Sequence, residues 1–173
     1  MTDSLIQIIP MTAADWSAVA AIYRQGIDTG TATFAACPPA TWQEWSQGKA
    51  AECRLVARQE EAVLGWAALS PISSRPVYRG VAEVSIYVAA AAHGRGVGKT
   101  LLQTLIQCSE AQGFWTLQAG IFPENSASLE LHLKLGFRLL GIREKIGYMS
   151  YGPNAGQWRD VAFLERRSRV TGI

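Results

Sequence analysis

The loop His93-Gly94-Arg95-Gly96-Val97-Gly98-Lys99-Thr100 holds the residues best suited to bind a charged ligand. Glycine at alternate positions lets the backbone turn tightly and approach a ligand with no Cβ in the way. An apolar, β-prone run, Val84-Ser85-Ile86-Tyr87-Val88, precedes it, and a helical pattern follows with Val97, Leu101, Leu102, Leu105 and Ile106 on one side. A helix starting there points its unbonded N–H groups, and the positive end of its dipole, back at the loop. Arg95 and Lys99 add full positive charge, and together these features read as a phosphate site. A glycine-rich turn with two solvated cations is the plainer alternative.

Proton chemistry has its own candidates. Glu83 sits mid-strand between apolar neighbours, one strand-length before the loop, where a carboxylate can take a proton from an ammonium group and attract its charge. The alternative is an outward-facing Glu on a half-exposed strand. His132 lies on a later helical segment, and an imidazole can exchange a proton near neutral pH, although a His on an apolar helix flank is more commonly a packing residue with one hydrogen bond. Asn125 precedes that segment, and its side chain suits either a ligand amide or the helix N-terminus. Arg75, Tyr78 and Arg79 could grip an anion, since guanidinium presents a planar fork that matches a carboxylate. Solvated loop arginines are the competing reading. Phe34 and Trp158 could wall a small pocket or simply pack.

Two familiar phosphate motifs fail on spacing. Gly98-Lys99-Thr100 resembles the end of a P-loop, but that motif requires Gly where this chain has His93. The dinucleotide fingerprint requires Gly where this chain has Lys99.

The elements that must position these residues alternate along the chain. Residues 5–9 form a short strand, and Thr12 with Asp15 gives a start signal for a helix carrying Trp16, Val19, Ile22 and Tyr23. Thr41 caps a short helix through Trp42 and Trp45. Residues 54–58 and 63–69 read as an antiparallel hairpin, 70–80 as a polar surface loop, and 81–88 as the strand feeding the phosphate loop. A helix ended by Gly113 is followed by a strand over 115–121, a helix over 126–135 ended by Gly136, and a strand over 137–142. A glycine-containing excursion over 147–156 leads to a last strand over 158–164, with a loose tail expected from 166 to 173.

Composition bounds the class. The chain has 173 residues, 49% of them hydrophobic and 17% charged, which suits a single globular domain over 1–173. A net charge of +2 is too small to point to nucleic acid. Cys37, Cys53 and Cys108 have no paired spacing and no His cluster nearby, so ordinary thiols are expected, with no disulfide frame and no metal site. No basic-then-apolar leader and no membrane-length apolar run is present, so a soluble, cytoplasmic protein is expected.

The element order, and several short motifs, resemble the GNAT N-acetyltransferases. Their pyrophosphate loop usually reads Gln/Arg-x-x-Gly-x-Gly/Ala, and this chain has His93-x-x-Gly96-x-Gly98, departing at the first position. The likeness is greatest to the phosphinothricin and methionine sulfoximine acetyltransferase branch. It is carried by Ala32-Thr33-Phe34, Arg75-x-x-Tyr78-Arg79-x-x-x-Glu83, Ser85-Ile86-Tyr87-Val88, Asn125-x-x-Ser128-x-x-x-His132, Leu135-Gly136-Phe137 and Gly156-Gln157-Trp158-Arg159-Asp160-Val161.

The resemblance implies an α/β (α+β) GNAT fold: a mixed, largely antiparallel central sheet with helices on both faces. It implies acetyl-CoA as acetyl donor, held by the 93–99 loop (His93, Gly94, Arg95, Gly96, Val97, Gly98, Lys99), by backbone groups of Ile86, Tyr87 and Val88, and by Asn125 and Ser128. Glu83 would be the base and His132 a general acid, where relatives carry Tyr. Phe34, Arg75, Tyr78, Arg79, Glu83 and Trp158 would line the acceptor site. The implied reaction is direct transfer to the α-amine of a small amino-acid-like substrate in a ternary complex, by a homodimer needing no metal, nucleic acid or membrane. A different amine acceptor (polyamine, aminoglycoside or protein N-terminus) and a non-catalytic acetyl-CoA-binding module remain open on these residues.

Overall fold

Runs of β-branched and aromatic residues become seven strands in the computed structural model, which describes residues 5–173. They are β1 (Gln7–Pro10), β2 (Arg54–Gln59), β3 (Ala62–Pro71), β4 (Val81–Val88), β5 (Thr116–Ile121), β6 (Arg138–Tyr148) and β7 (Trp158–Arg167). One sheet contains them all, in the order β1-β2-β3-β4-β5-β7-β6. Neighbours are antiparallel except β4 and β5, which run parallel. The mixed, mainly antiparallel sheet expected from the sequence is therefore present.

Period-two patterning distributes the helices. Leu55, Ala57, Ala67, Leu69, Ala82 and Val84 turn to the face covered by α3 (Val97–Ala111) and α4 (Ser126–Lys134), while Val56, Trp66 and Ala68 turn to α1 (Trp16–Asp28) and α2 (Trp42–Ser46). Leu101, Leu102 and Leu105 of α3 have no exposed surface, and complete burial of such a side chain contributes about 1.5–3 kcal/mol. Helix starts follow local chemistry. The Thr12 N–H donates to Asp15 Oδ2 at 2.8 Å ahead of α1, and the Glu44 N–H donates to Thr41 Oγ1 at 3.2 Å in α2. Asp15, almost wholly buried, is neutralised by Arg58 of β2, and this pair ties the first helix to the sheet.

Three expectations need correction. Ser70 and Pro71, expected in a surface loop, end β3 and pair with Glu83 and Ala82 of β4. The strand expected over 137–142 extends to Tyr148, because Lys145 takes φ +48° in a bulge and its N–H is held by Asp160 Oδ1 at 2.7 Å. The bulge lets β6 keep pairing with β7 through Tyr148↔Trp158. The tail expected to be loose from 166 begins inside β7. Beyond the strand, the Ser168 N–H bonds the Trp115 carbonyl at 2.8 Å, and its hydroxyl bonds Glu110 Oε1 at 2.9 Å. Arg167 adds bonds to the Ser168 and Thr171 carbonyls. Backbone donors and a buried serine thus anchor the chain end against Trp115.

The feature that creates a site is the parallel pair. β4 and β5 are joined only at Val81↔Thr116, Ala82↔Leu117 and Glu83↔Gln118. Beyond Glu83, β4 keeps its bonds to β3 but loses its partner on the other side, and the sheet splays.

Candidate active site

The splay opens a cleft of about 520 Å3 with Glu83 at its fork. Its walls include Tyr23, Phe34, Tyr87 and Phe122, and its lining also takes in Ile86, Asn125, Ser128 and His132. The fold thus brings together Glu83, Phe34, Ile86, Tyr87, Asn125, Ser128 and His132 from segments far apart in sequence.

Phe34 stands edge-on to Phe122 at 4.9 Å, and it fits because position 147 is glycine; a Cβ there would fall 2.3 Å from the Phe34 ring. The loop carrying Phe34 is pinned by the connection between β6 and β7 and by Arg159 at the start of β7. The Tyr151 hydroxyl donates to the Thr33 carbonyl at 2.6 Å, and Asn154 Nδ2 and Arg159 Nη1 donate to the Gly30 carbonyl at 3.3 and 3.2 Å. Arg159 is buried against Phe122 and pairs with Glu124 at 3.1 Å. Burial pushes the Tyr87 phenol up, assisted by neighbouring Tyr23, and burial raises Tyr23 too. Both hydroxyls therefore remain protonated donors at neutral pH.

His132 is 2% exposed and packs edge-on to Phe137 at 4.9 Å. Its Nδ1 lies 2.8 Å from the Ser128 carbonyl, which can only accept, so Nδ1 carries the hydrogen and Nε2 is left with a lone pair in the neutral ring. Nε2 is buried with no hydrogen-bond partner among the described residues. Burial lowers the ring's pKa, and the bond to Ser128 opposes that only in part. Asn125 caps α4: its Oδ1 accepts from the Ser128 N–H at 3.2 Å, while Nδ2 donates to the Thr31 carbonyl at 3.3 Å.

The 93–99 loop lies outside the cleft lining, at the start of α3. Gly94 and Gly96 take φ +75° and +78°, and a Cβ on either would meet nothing within 4 Å, so the loop presents bare backbone to open space. The first-turn N–H groups of α3 have no carbonyl a turn earlier to bond. This fits a diphosphate: Gly96, Val97, Gly98 and Lys99 would supply N–H groups, and Lys99 a charge. Gly98 also packs closely, since a Cβ added to it would lie 3.4 Å from Leu131 and 3.6 Å from Val88. Arg95 bonds Gln59 Oε1 at 2.6 Å, and the His93 ring donates through Nε2 to the Val88 carbonyl at 3.0 Å. His93 thus ties the loop to the end of β4, and Val88 lies at that junction.

Four residues that the sequence suggested for the acceptor site do not line the cleft: Arg75, Tyr78, Arg79 and Trp158. Arg75 stacks on Tyr78 at 5.4 Å, Arg79 on Trp115 at 5.4 Å, and Trp158 stands against Tyr148 at 5.4 Å, 61% exposed. The lining instead contains Lys49, Ser70 and Arg143, which sequence reasoning missed. Only the register that sets Ser70 opposite Glu83 could have drawn attention to Ser70, and nothing near Lys49 distinguishes it from a solvated lysine. None of Cys37, Cys53 and Cys108 lines the cleft; Cys53 and Cys108 face each other at 3.0 Å between sulfurs, outside it.

Comparison with known proteins gives consistent results. A family model described as the acetyltransferase (GNAT) family matches residues 19–137. The chain is 36% identical over 165 residues to a phosphinothricin N-acetyltransferase of Streptomyces viridochromogenes, covering 93% of this chain and 87% of that one. It is 32% identical over 157 residues to an L-methionine sulfoximine/L-methionine sulfone acetyltransferase of Pseudomonas aeruginosa, covering 88% of each. Among solved structures, a GNAT superfamily phosphinothricin acetyltransferase from Sinorhizobium meliloti in complex with AcCoA superposes with a TM-score of 0.82 at 31% identity, over 96% of this chain and 90% of that one.

Proposed function

The chain belongs to the GNAT acetyltransferase family, and from that premise we propose that it transfers the acetyl group of acetyl-CoA directly to the α-amine of a small amino-acid-like acceptor, of the phosphinothricin, methionine sulfoximine or methionine sulfone type. The observation that carries this reading is the fork of the sheet. Glu83 stands at the last paired position of β4 and β5, and an aromatic-walled cleft opens beside it.

Acetyl-CoA, when bound, supplies an activated acyl group on a thioester. The chain does the rest. Glu83 takes the ammonium proton, directly or through a water, and so frees the lone pair for attack. The β5-side edge of β4 from Ile86 to Val88, unpaired beyond the splay, offers backbone donors for the thioester carbonyl. The 93–99 loop and the first turn of α3 hold the pyrophosphate. Asn125, engaged as a cap, fixes the helix that carries Ser128 and His132 at the cleft. With Nδ1 already donating and Nε2 buried without a hydrogen, neutral His132 has no N–H to give, so we assign it a positioning role in place of the general-acid role that the resemblance implied; the second proton the attacking amine loses goes to the departing coenzyme A sulfur, which leaves as the thiol. No cysteine in the lining is available to carry the acyl group, which favours a ternary complex over an acyl-enzyme.

A second copy of the chain is expected against β6. This outer strand exposes Leu139, Ile142, Ile146 and Tyr148 at 52, 48, 50 and 54%, an apolar edge that a homodimer would cover. Sedimentation would check it: a monomer at assay concentration speaks against this arrangement.

The functional test is an acceptor panel with acetyl-CoA, scoring released thiol. Turnover with methionine sulfone, methionine sulfoximine or phosphinothricin, and little with polyamines or aminoglycosides, is the expected result. Preference for a cationic acceptor would contradict it.

A further inference from the structure

Resting on that acetyl-transfer reading, we infer that Lys49 is the specificity-determining residue of the acceptor end, its ammonium receiving the acceptor's carboxylate while Glu83 receives its amine. Nothing in the family motifs pointed to this lysine. It lies in the turn after α2, where its own N–H bonds the Ser46 carbonyl at 3.1 Å and the following Ala50 N–H bonds the Leu69 carbonyl at 2.8 Å. The turn is thereby docked on β3. From there the side chain reaches over the Trp45 ring, 5.8 Å from its centroid, and Nζ donates to Ser70 Oγ at 2.8 Å. Ser70 is the direct cross-strand partner of Glu83. Opposed residues of an antiparallel pair share one face of the sheet, so the ammonium is held beside the fork carboxylate. Lys49, Ser70 and Glu83 all line the cleft.

Lys49 and Glu83 do not form an ion pair with each other. The five ion pairs among the described residues are Arg58–Asp15, Lys134–Glu130, Arg138–Glu165, Arg159–Glu124 and Arg166–Glu110. An ammonium has three donors, and one of them is on Ser70. The cleft therefore holds a half-buried cation with donors to spare and a separate carboxylate next to it. An α-amino acid is their complement: an ammonium and a carboxylate on one carbon. Were Glu83 alone, an acceptor's own carboxylate would meet only like charge near the fork. Burial lowers the Lys49 pKa and the Glu83 charge opposes the fall; a bound carboxylate would act in the same direction as Glu83. Arg143, at the cleft rim and 3.8 Å from the Phe163 centroid, is the other lining cation and suits an acid group farther out on the acceptor. Arg75 and Arg79, stacked on Tyr78 and Trp115, lie outside the lining.

The test compares methionine sulfone with its carboxamide, which keeps the amine and side chain and lacks the carboxylate. The parent enzyme should prefer the acid by about tenfold or more in kcat/KM, the loss of one charge-assisted hydrogen bond. Lys49→Gln can still bond Ser70 and so preserve the turn, yet it should erase that preference, raising the KM for the acid by about ten- to a hundredfold and leaving the KM for acetyl-CoA unchanged. Lys49→Arg should retain the preference. An undiminished preference in Lys49→Gln overturns the assignment while leaving the acetyl-transfer reading intact. So does an effect confined to kcat with a displaced pH–rate profile, because Lys49 would then act through Glu83. A parent enzyme that acetylates neither compound overturns the acceptor reading and this inference together.

Discussion

Ser70 and Glu83 stand opposite each other in the β3–β4 ladder, and Ser70 Oγ carries the Lys49 ammonium at 2.8 Å. The same Glu83 occupies the last paired position between β4 and β5. One register therefore does two things: it puts a carboxylate where the sheet parts, and it sets a cation beside it. The splay supplies the room, and the pinned Phe34 loop supplies an apolar wall.

Gly96 tests the phosphate loop. At φ +78° a side chain is strained, so Gly96→Ala should cost about 1–2 kcal/mol of stability. Its Cβ would also enter the open space where the backbone should meet the diphosphate. The KM for acetyl-CoA is expected to rise on the order of tenfold, the loss of one charge-assisted bond, with the acceptor KM little changed. Calorimetric acetyl-CoA affinity equal to that of the parent would place the diphosphate elsewhere.

His132 makes stability depend on pH. Its folded pKa lies below the unfolded value of about 6.5. Below that pH the unfolded chain binds a proton that the folded chain resists, so unfolding is favoured as pH falls through the window between the two values; above about 6.5 the effect vanishes. Urea unfolding at about pH 7.5 and 5.5 should show the parent losing more stability on acidification than His132→Gln. Equal losses would mean the ring is as easily protonated in the folded protein as in the unfolded one.

Arg159 holds the Gly30 carbonyl and Glu124 while packed on Phe122. Glu124 is 59% exposed and can return to water, but the Gly30 carbonyl keeps only its bond from Asn154 Nδ2, and Phe122 loses the guanidinium packed on it. Arg159→Ala should therefore destabilise by about 1–3 kcal/mol in urea unfolding and raise the acceptor KM by loosening the loop under Phe34. Parent-like stability and KM would show that Tyr151 and Asn154 suffice to hold that loop.

Much of the frame was legible in the sequence because local signals were strong. Val81–Val88 is bounded by Gly80 and by the loop that follows, and its apolar run announces a strand. Thr12 with Asp15, Thr41 and Asn125 mark helix starts, and Gly113 and Gly136 mark ends with φ +81° and +88°. What stayed hidden depends on distant partners. The extension of β6 needs Asp160 to hold the Lys145 bulge, and the anchoring of the chain end needs Trp115 and Glu110. Lys49 acquires meaning only through Ser70, twenty-one positions on. Glu83, Phe34 and His132 were named from motifs, yet only the fold sets them around one cleft and fixes the His132 tautomer.

The measurement that tests the central claim most directly is the pH–rate profile of Glu83→Gln with methionine sulfone and acetyl-CoA. If Glu83 is the base at the fork, the variant keeps size and packing, so folding and acetyl-CoA affinity should barely change. Its kcat near neutral pH should fall by about a hundredfold or more, and the deficit should shrink at high pH, where the free amine no longer needs a base. A variant that keeps the parent rate across neutral pH would make Glu83 an ordinary strand residue and contradict the account.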